Sequence, residues 1–380
     1  MTAAMVLPGP AAPETATRPL LEIDTAAVAA NTRLFARRTD ADLMAVVKAD
    51  GFGHGSVEVA RTALAHGARW LGVTSLDEAL VLRRAGIGAP VLSWLNPVDL
   101  DAPAAARHRV DLAVPSLEHL NRVVAGAARA GRRVRVHLHL DTGMARDGAP
   151  PDDWPRLFAR ARDAERADLV EVVGVMGHLP CADRPGDPTT RSGRRALLRG
   201  FALARAAGLR PGLRHLAATA AALTDGSTHL DLVRVGAGLV GIDPSGTTAL
   251  NPALRLTAPV VQVREVPAGT GIGYGHSDVT DRPTRLGLIP IGYADGLPRV
   301  ASGRAEVLVG GRRRRLRGRI SMDQAVVDLG ADPVHPGTGA VVFGPGHEGE
   351  PTVEDWARWS DTIPHEIVTG LGPRLLRTTL

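Results

Sequence analysis

The chain has 380 residues and a formal net charge of +5, more than one ordinary domain needs and less than three would use. Apolar residues make up 44% of it, enough to fill a core, but no run of eighteen apolar residues exists, so no membrane span is expected. Aromatics are only 3%, too few to stack bases, so the basic excess does not predict a nucleic-acid partner.

The first residues, through about Pro19, are rich in Ala, Pro and Thr and lack the basic start of a secretory signal. They predict a short disordered tail over residues 1–19 and a cytoplasmic protein. Residues 20–248 alternate short apolar runs with amphipathic stretches. The predicted strands are Leu43–Lys48, Trp70–Thr74, Pro90–Trp94, Asp111–Val114, Val134–Asp141, Val170–Met176, Leu213–Ala217 and Leu232–Gly236. The predicted helices between them include Ser56–Leu64, Leu76–Arg84, Ser116–Ala130, Asp152–Ala164 and Arg191–Ala206. Eight strands alternating with helices predict an α/β fold of the (β/α)8 TIM-barrel type. The lone cysteine, Cys181, excludes an internal disulfide framework.

Over residues 249–380 the texture changes to short β-like runs divided by Gly and Pro. These are Val260–Val266, Arg285–Ile291, Glu306–Val309, Arg315–Ile320, Ala325–Leu329 and Ala340–Phe343. A mostly β C-terminal domain is predicted. Within it, Val307-Leu308-Val309, Gly310-Gly311 and the run Arg312–Arg315 read as a hairpin with a solvated face.

Barrel chemistry gathers where strands end at their C-terminal face. Lysines and arginines total 45, yet Lys48 is the only lysine, leaving 44 arginines. General cationic needs are therefore met by arginine, which cannot form an imine; lysine can. At the end of an apolar strand its pKa falls and the neutral nucleophile is favoured. Alone, a lysine there is more often a snorkelling surface group. The two tyrosines, Tyr274 and Tyr293, sit in the strings Gly273-Tyr274-Gly275 and Ile289-Pro290-Ile291-Gly292-Tyr293-Ala294-Asp295-Gly296. Three further strings stand at predicted strand ends: Asp141-Thr142-Gly143-Met144-Ala145-Arg146, Gly177-His178-Leu179 and Arg234-Val235-Gly236-Ala237.

From about Glu22 onward these strings, in this order, resemble the alanine racemases, enzymes dependent on pyridoxal phosphate (PLP). The resemblance implies that Lys48, in Val46-Val47-Lys48-Ala49, carries PLP as an imine. It implies that Arg146 faces the cofactor's phenolic oxygen and the substrate carboxylate, and that His178 packs on the cofactor ring. Thr219 replaces a phosphate-binding serine, and Gly236 and Ala237 hold phosphate through their backbone amides. Arg234 contacts the pyridine nitrogen; a group that keeps its proton leaves that nitrogen unprotonated. Tyr274 matches the catalytic tyrosine that reaches a partner subunit's site, which implies a homodimer with shared active sites. Met322 and Asp323, in Gly318-Arg319-Ile320-Ser321-Met322-Asp323-Gln324, and Tyr293 fall to the substrate amino acid. Arg319, Arg299 and Asp183 match the mouth of the substrate channel. No metal is implied.

Racemisation removes the Cα proton from one face and returns it to the other, so two bases are needed. The resemblance assigns Lys48 to the D-face and Tyr274 of the second subunit to the L-face, with alanine as the expected substrate. Some positions depart from the family pattern. Phe52 stands where a phosphate-binding tyrosine is usual, and His365 replaces a tyrosine that contacts phosphate and narrows the inner pocket. His139 replaces a lysine, often carbamylated, that braces the active-site arginine. Ala218 replaces an asparagine, and Ala237 is smaller than usual. Because these cluster around the cofactor, the alternative is a diverged PLP enzyme of the same fold acting on a different or larger amino acid by epimerisation, decarboxylation or aldol chemistry.

Overall fold

The computed structural model describes residues 18–380. The tail expected at the N-terminus lies, up to residue 17, outside the described residues. The chain divides into two compact units, one spanning Asp24–Ala253 and the other joining the strand before Asp24 to Leu254–Leu380.

The first strand, β1 (Leu20–Ile23), belongs to the second unit, so the barrel unit starts at Asp24 rather than at residue 20. Its side chains alternate between half-buried and buried, the pattern of a strand with one covered face. The barrel strands are β2 (Asp42–Val46), β3 (Trp70–Val73), β4 (Val91–Ser93), β5 (Val110–Val114), β6 (Val134–His139), β7 (Val170–Met176), β8 (Leu213–His215) and β9 (Leu232–Val235). They pair in parallel in the order β8-β7-β6-β5-β4-β3-β2-β9. Backbone bonds from Asp231 to Arg214 (3.1 Å) and from Arg234 to Ala217 (3.0 Å) join the two ends. Every residue of β3 and β5 is buried, as expected of parallel strands covered on both faces.

All eight barrel strands fall where the apolar runs predicted them. The intervening helices are bounded by ordinary capping chemistry. Ser75 and Glu78 form a reciprocal box at the start of Leu76–Arg84, and Ser116 caps Leu117–Ala130, which ends at left-handed Gly131. The helix Thr25–Arg38 was not predicted. Its first six residues include four alanines, which gives little contrast between faces.

The second unit contains β10 (Leu254–Pro259), β11 (Gln262–Val266), β12 (Gly271–Ile272), β13 (Asp278–Val279), β14 (Thr284–Ile289), β15 (Glu306–Val309), β16 (Arg312–Arg317), β17 (Ala325–Gly330), β18 (Gly339–Phe343) and β19 (Leu376–Thr379). Nine strands form one sheet in the order β11-β14-β17-β16-β15-β18-β10-β1-β19. Gly310 and Gly311, both at positive φ, make the tight turn between β15 and β16. The arginine run on β16 is held within the unit. Arg313 lies 3.0 Å from Asp355, Arg317 lies 2.7 Å from Asp278 and 3.1 Å from Asp328, and Arg314 pairs with Asp332. Among the described residues, no helix is long and apolar enough to cross a membrane.

Candidate active site

Lys48 follows β2 after one intervening residue, Val47, and opens a rare stretch of left-handed backbone. Ala49, Asp50, Gly51, Phe52 and Gly53 have φ of 51°, 52°, 63°, 57° and 80°. For non-glycine residues this costs roughly 1–2 kcal/mol each, so the surroundings must impose it. Glu78 does much of that work: its Oε1 accepts from the Ala49 N–H at 2.7 Å, while Oε2 accepts from the Thr74 N–H (2.8 Å) and hydroxyl (2.7 Å). Asp50 accepts from the Ser56 N–H at 2.9 Å. Burial, and then the charge of Arg146, hold the half-buried Lys48 amine below the usual lysine range, while Glu78 pulls it up. The Phe52 ring is buried against Gly236, where a Cβ would come within 2.5 Å of it.

The loop after β6 is organised by Asp141. One of its carboxylate oxygens accepts from the N–H groups of Gly143 (2.9 Å), Met144 (2.9 Å) and Ala145 (3.2 Å). Thr142 then clamps the end of β7: its hydroxyl donates to the His178 carbonyl at 2.6 Å and accepts from the His178 N–H at 3.2 Å. Gly177 permits this approach, since a Cβ there would fall 2.4 Å from the Thr142 methyl. A small pocket of about 10 Å³, about one water's room, is lined by His139, Asp141, Arg146, Asp147 and His178, among others. His139 is buried, and its Nδ1 lies 3.3 Å from Asp147 Oδ2, at ion-pair distance but without hydrogen-bond alignment.

Arg234, on β9, is 5% exposed. It donates to the carbonyls of Gly177 (2.7 Å) and Leu216 (3.2 Å) and lies 3.3 Å from His178 Nδ1. Burial lowers its pKa to about 10, which leaves it charged at neutral pH. Burial, and then the charges of Arg234, Arg146, His139 and Lys48, push His178 down to about 3, so this imidazole is neutral. Thr219 is buried after β8, and its hydroxyl oxygen accepts from the Gly238 N–H at 3.2 Å, leaving its own proton to donate elsewhere. Gly236 and Ala237 follow β9 and lead into a short 3-10 turn, Ala237–Val240. Lys48, Phe52, Arg146, His178, Thr219, Arg234, Gly236 and Ala237 thus all lie within or just beyond the C-terminal ends of the barrel strands.

Asp183 and Ala218 lie on the barrel unit, and the remaining expected residues lie on the second unit. Tyr274 is 70% exposed, on a turn between Gly273 and Gly275, both at positive φ. It borders a cavity of about 450 Å³ together with Arg264, Gln262, Arg319 and Gln324. The Tyr293 and Met322 loops are laced together: the Tyr293 N–H donates to the Ser321 carbonyl (3.0 Å) and the Ala294 N–H to the Met322 carbonyl (3.0 Å). Gly292 allows this, because a Cβ there would sit 2.3 Å from the Ser321 oxygen. Asp323 takes a bond from Arg374 at 2.7 Å, and Arg374 also grips buried Asp295 at 2.9 and 3.0 Å. His365 is half-buried at the start of the helix Pro364–Thr369.

Two family models match almost the whole chain: the alanine racemase N-terminal domain over residues 23–244 and the alanine racemase C-terminal domain over residues 253–379. The chain belongs to the alanine racemase family. It is 46% identical over 359 residues to alanine racemase from Thermobifida fusca, covering 93% of this chain and 96% of that protein. The crystal structure of alanine racemase from D-cycloserine producing Streptomyces lavendulae superposes with a TM-score of 0.93 at 44% identity, over 96% of this chain and 97% of that one. Alanine racemase from Bartonella henselae, whose crystal structure has covalently bound pyridoxal phosphate, superposes with a TM-score of 0.87 at 26% identity, over 96% of this chain and 100% of that one.

Several residues of this alanine racemase fold escaped the sequence reading. Glu78 looked like an ordinary helix-start glutamate; its capping-box spacing from Ser75 was the available signal, but nothing in it pointed to Lys48. Asp111, His137 and His215 lie inside strands. A charged or polar residue at a barrel-facing position of an apolar strand is the signal that could have found them.

Proposed function

We propose that this chain is a PLP-dependent alanine racemase interconverting L- and D-alanine by two-base proton exchange at Cα. The observation that carries the reading is the cage at the barrel mouth: one amine of lowered pKa, a neutral imidazole and a buried guanidinium, with a free hydroxyl proton beyond them. This donor set fits PLP. Lys48 would bind its aldehyde carbon and Arg234 would face its ring nitrogen. The Thr219 hydroxyl and the backbone at Gly236 and Ala237 would take its phosphate, a recurrent location after the last two strands of a barrel. Bound PLP spreads the charge left on Cα when its proton departs.

The residues do the rest. Arg146 presents a guanidinium to the substrate carboxylate. Lys48, kept below its usual pKa by burial, can take up or release the proton on one face of Cα. Tyr274 of a second copy serves the other face; its 70% exposure supports that placement. Met322, Asp323 and Tyr293 sit on neighbouring loops of the same unit and would border the substrate. His139 occupies the bracing position beside Arg146, held toward Asp147. The substrate is a free amino acid, the enzyme a cytoplasmic homodimer.

The test is Cα–H exchange. The protein with PLP is incubated in D2O with L-alanine, L-serine and other amino acids, and read by NMR and chiral chromatography. Deuterium at Cα with matching D-alanine is expected. Faster turnover of serine or a larger substrate would redirect the reading to the departures at Phe52, Ala218 and His365. Exchange with no amino acid would sink it.

A further inference from the structure

Beneath Arg234 the barrel interior is polar where such barrels are ordinarily packed with branched apolar side chains. Arg234 Nη1 lies 3.1 Å from His215 Nδ1. His215 Nε2 lies 2.9 Å from His137 Nδ1, and His137 Nε2 lies 3.3 Å from Asp111 Oδ2. Asp111 Oδ1 accepts from Arg135 Nε at 2.9 Å, and the Arg135 side chain is 41% exposed. Both histidines are fully buried and Asp111 is 2% exposed. Gly174 on β7 makes the room: a Cβ there would fall 2.7 Å from His137 Nδ1.

The polarity of this chain is fixed by what each group can do. A guanidinium only donates, so His215 Nδ1 must accept and its proton sits on Nε2. That proton points at His137 Nδ1, which must accept, so His137 carries its proton on Nε2. That proton in turn points at the Asp111 carboxylate, which only accepts. The chain runs in one direction, and protonating either imidazole twice would set two donors face to face. Among the described residues, His215 Nδ1 is the only acceptor bonded to Arg234 Nη1; both carbonyl bonds fall on Nη2.

We propose that Asp111 and His137 are positioning residues for Arg234: the carboxylate sets the tautomers of both imidazoles, and so supplies the acceptor that orients the guanidinium toward the cofactor ring. This rests on the reading of Arg234 as the ring contact. In Asp111→Asn, Arg135 donates the shorter, charge-assisted bond and draws the amide oxygen to itself. The amide NH2 then faces His137 Nε2 and forces its proton to Nδ1. His215 must follow, and its Nδ1 proton meets Arg234 Nη1 donor to donor. A buried aspartate sets a histidine tautomer in the serine-protease triad in the same manner.

The test begins with the unaltered holoenzyme, labelled with 15N-histidine, read by long-range 1H–15N correlation from about pH 6 to about pH 9. His137 and His215 should both be neutral with the proton on Nε2 throughout. In Asp111→Asn both tautomers should invert, the absorbance of bound PLP should shift, and kcat for alanine should fall about 10–100-fold with KM within about threefold. A His215 protonated on Nδ1 in the unaltered protein overturns the proposal, whatever the variant does. So does Asp111→Asn with tautomers and kcat unchanged. If the unaltered protein racemises nothing while both tautomers are as stated, the functional reading fails and the positioning of Arg234 stands.

Discussion

Lys48 is the one amine of the barrel, and its surroundings set its acidity without removing it from water entirely. Replacing it with arginine keeps the charge but removes the only side chain able to form an imine. Lys48→Arg should lose the absorbance of covalently held PLP and lower kcat by more than about 10³-fold, measured by spectrum and by D-alanine formation. Ala145 presents a different residue-scale problem. It occupies the left-handed region at φ 53°, a conformation that favours glycine. Ala145→Gly removes a steric cost of roughly 1–2 kcal/mol but adds freedom to the unfolded chain. A net gain of about 0.5–1 kcal/mol is expected, read as a higher urea midpoint.

Among the elements, a helix start holds the loop after Lys48 in place. Glu78 closes the capping box of Leu76–Arg84 and, with the same carboxylate, pins the left-handed turn after Lys48. Both oxygens face donors, so an amide in their place must point its NH2 at an N–H. Glu78→Gln should therefore lower kcat about tenfold. It also removes a charge that raises the Lys48 pKa, so the limb of the kcat/KM profile belonging to Lys48 should move to lower pH. Movement to higher pH would refute this account of the loop. Gly177, Gly236 and Gly292 act at the same scale: each lets two elements approach closer than a Cβ would allow.

For the whole molecule, acid stability follows from the barrel's neutral histidines. His178 titrates near 3 and His215 well below 6.5, the value each regains on unfolding. Between those values the unfolded chain binds more protons than the native one, so stability falls as pH drops from about 6.5 toward 3. The urea midpoint should be lower at pH 5 than at pH 7.5, and His178→Gln should flatten that difference. The carboxylates of lowered pKa, such as Asp141, contribute only further down, below about 3.8. The proposed sharing of active sites between two subunits makes a separate prediction. Lys48→Arg and Tyr274→Phe should each be inactive alone, yet when coexpressed equally they should recover about a quarter of wild-type activity, because half the dimers are mixed and each has one intact site. No recovery would place both bases in one subunit.

The architecture and the chemistry-bearing ends of the strands are legible along the chain. Parallel strands covered on both faces are written as mostly apolar runs, and all eight are legible. Lys48 stands out because it is the one lysine beside 44 arginines. Local signals were silent where the decisive partner is distant in sequence. Glu78 reaches Ala49 across 29 positions, and His215 reaches His137 across 78, contacts that only strand order brings together. The strand Leu20–Ile23 likewise joins a sheet whose other members begin at residue 254, because pairing is set by register and burial and not by proximity along the chain. Tautomers, left-handed turns and the acidity of buried groups are properties of enclosure, so the tertiary structure alone decided them.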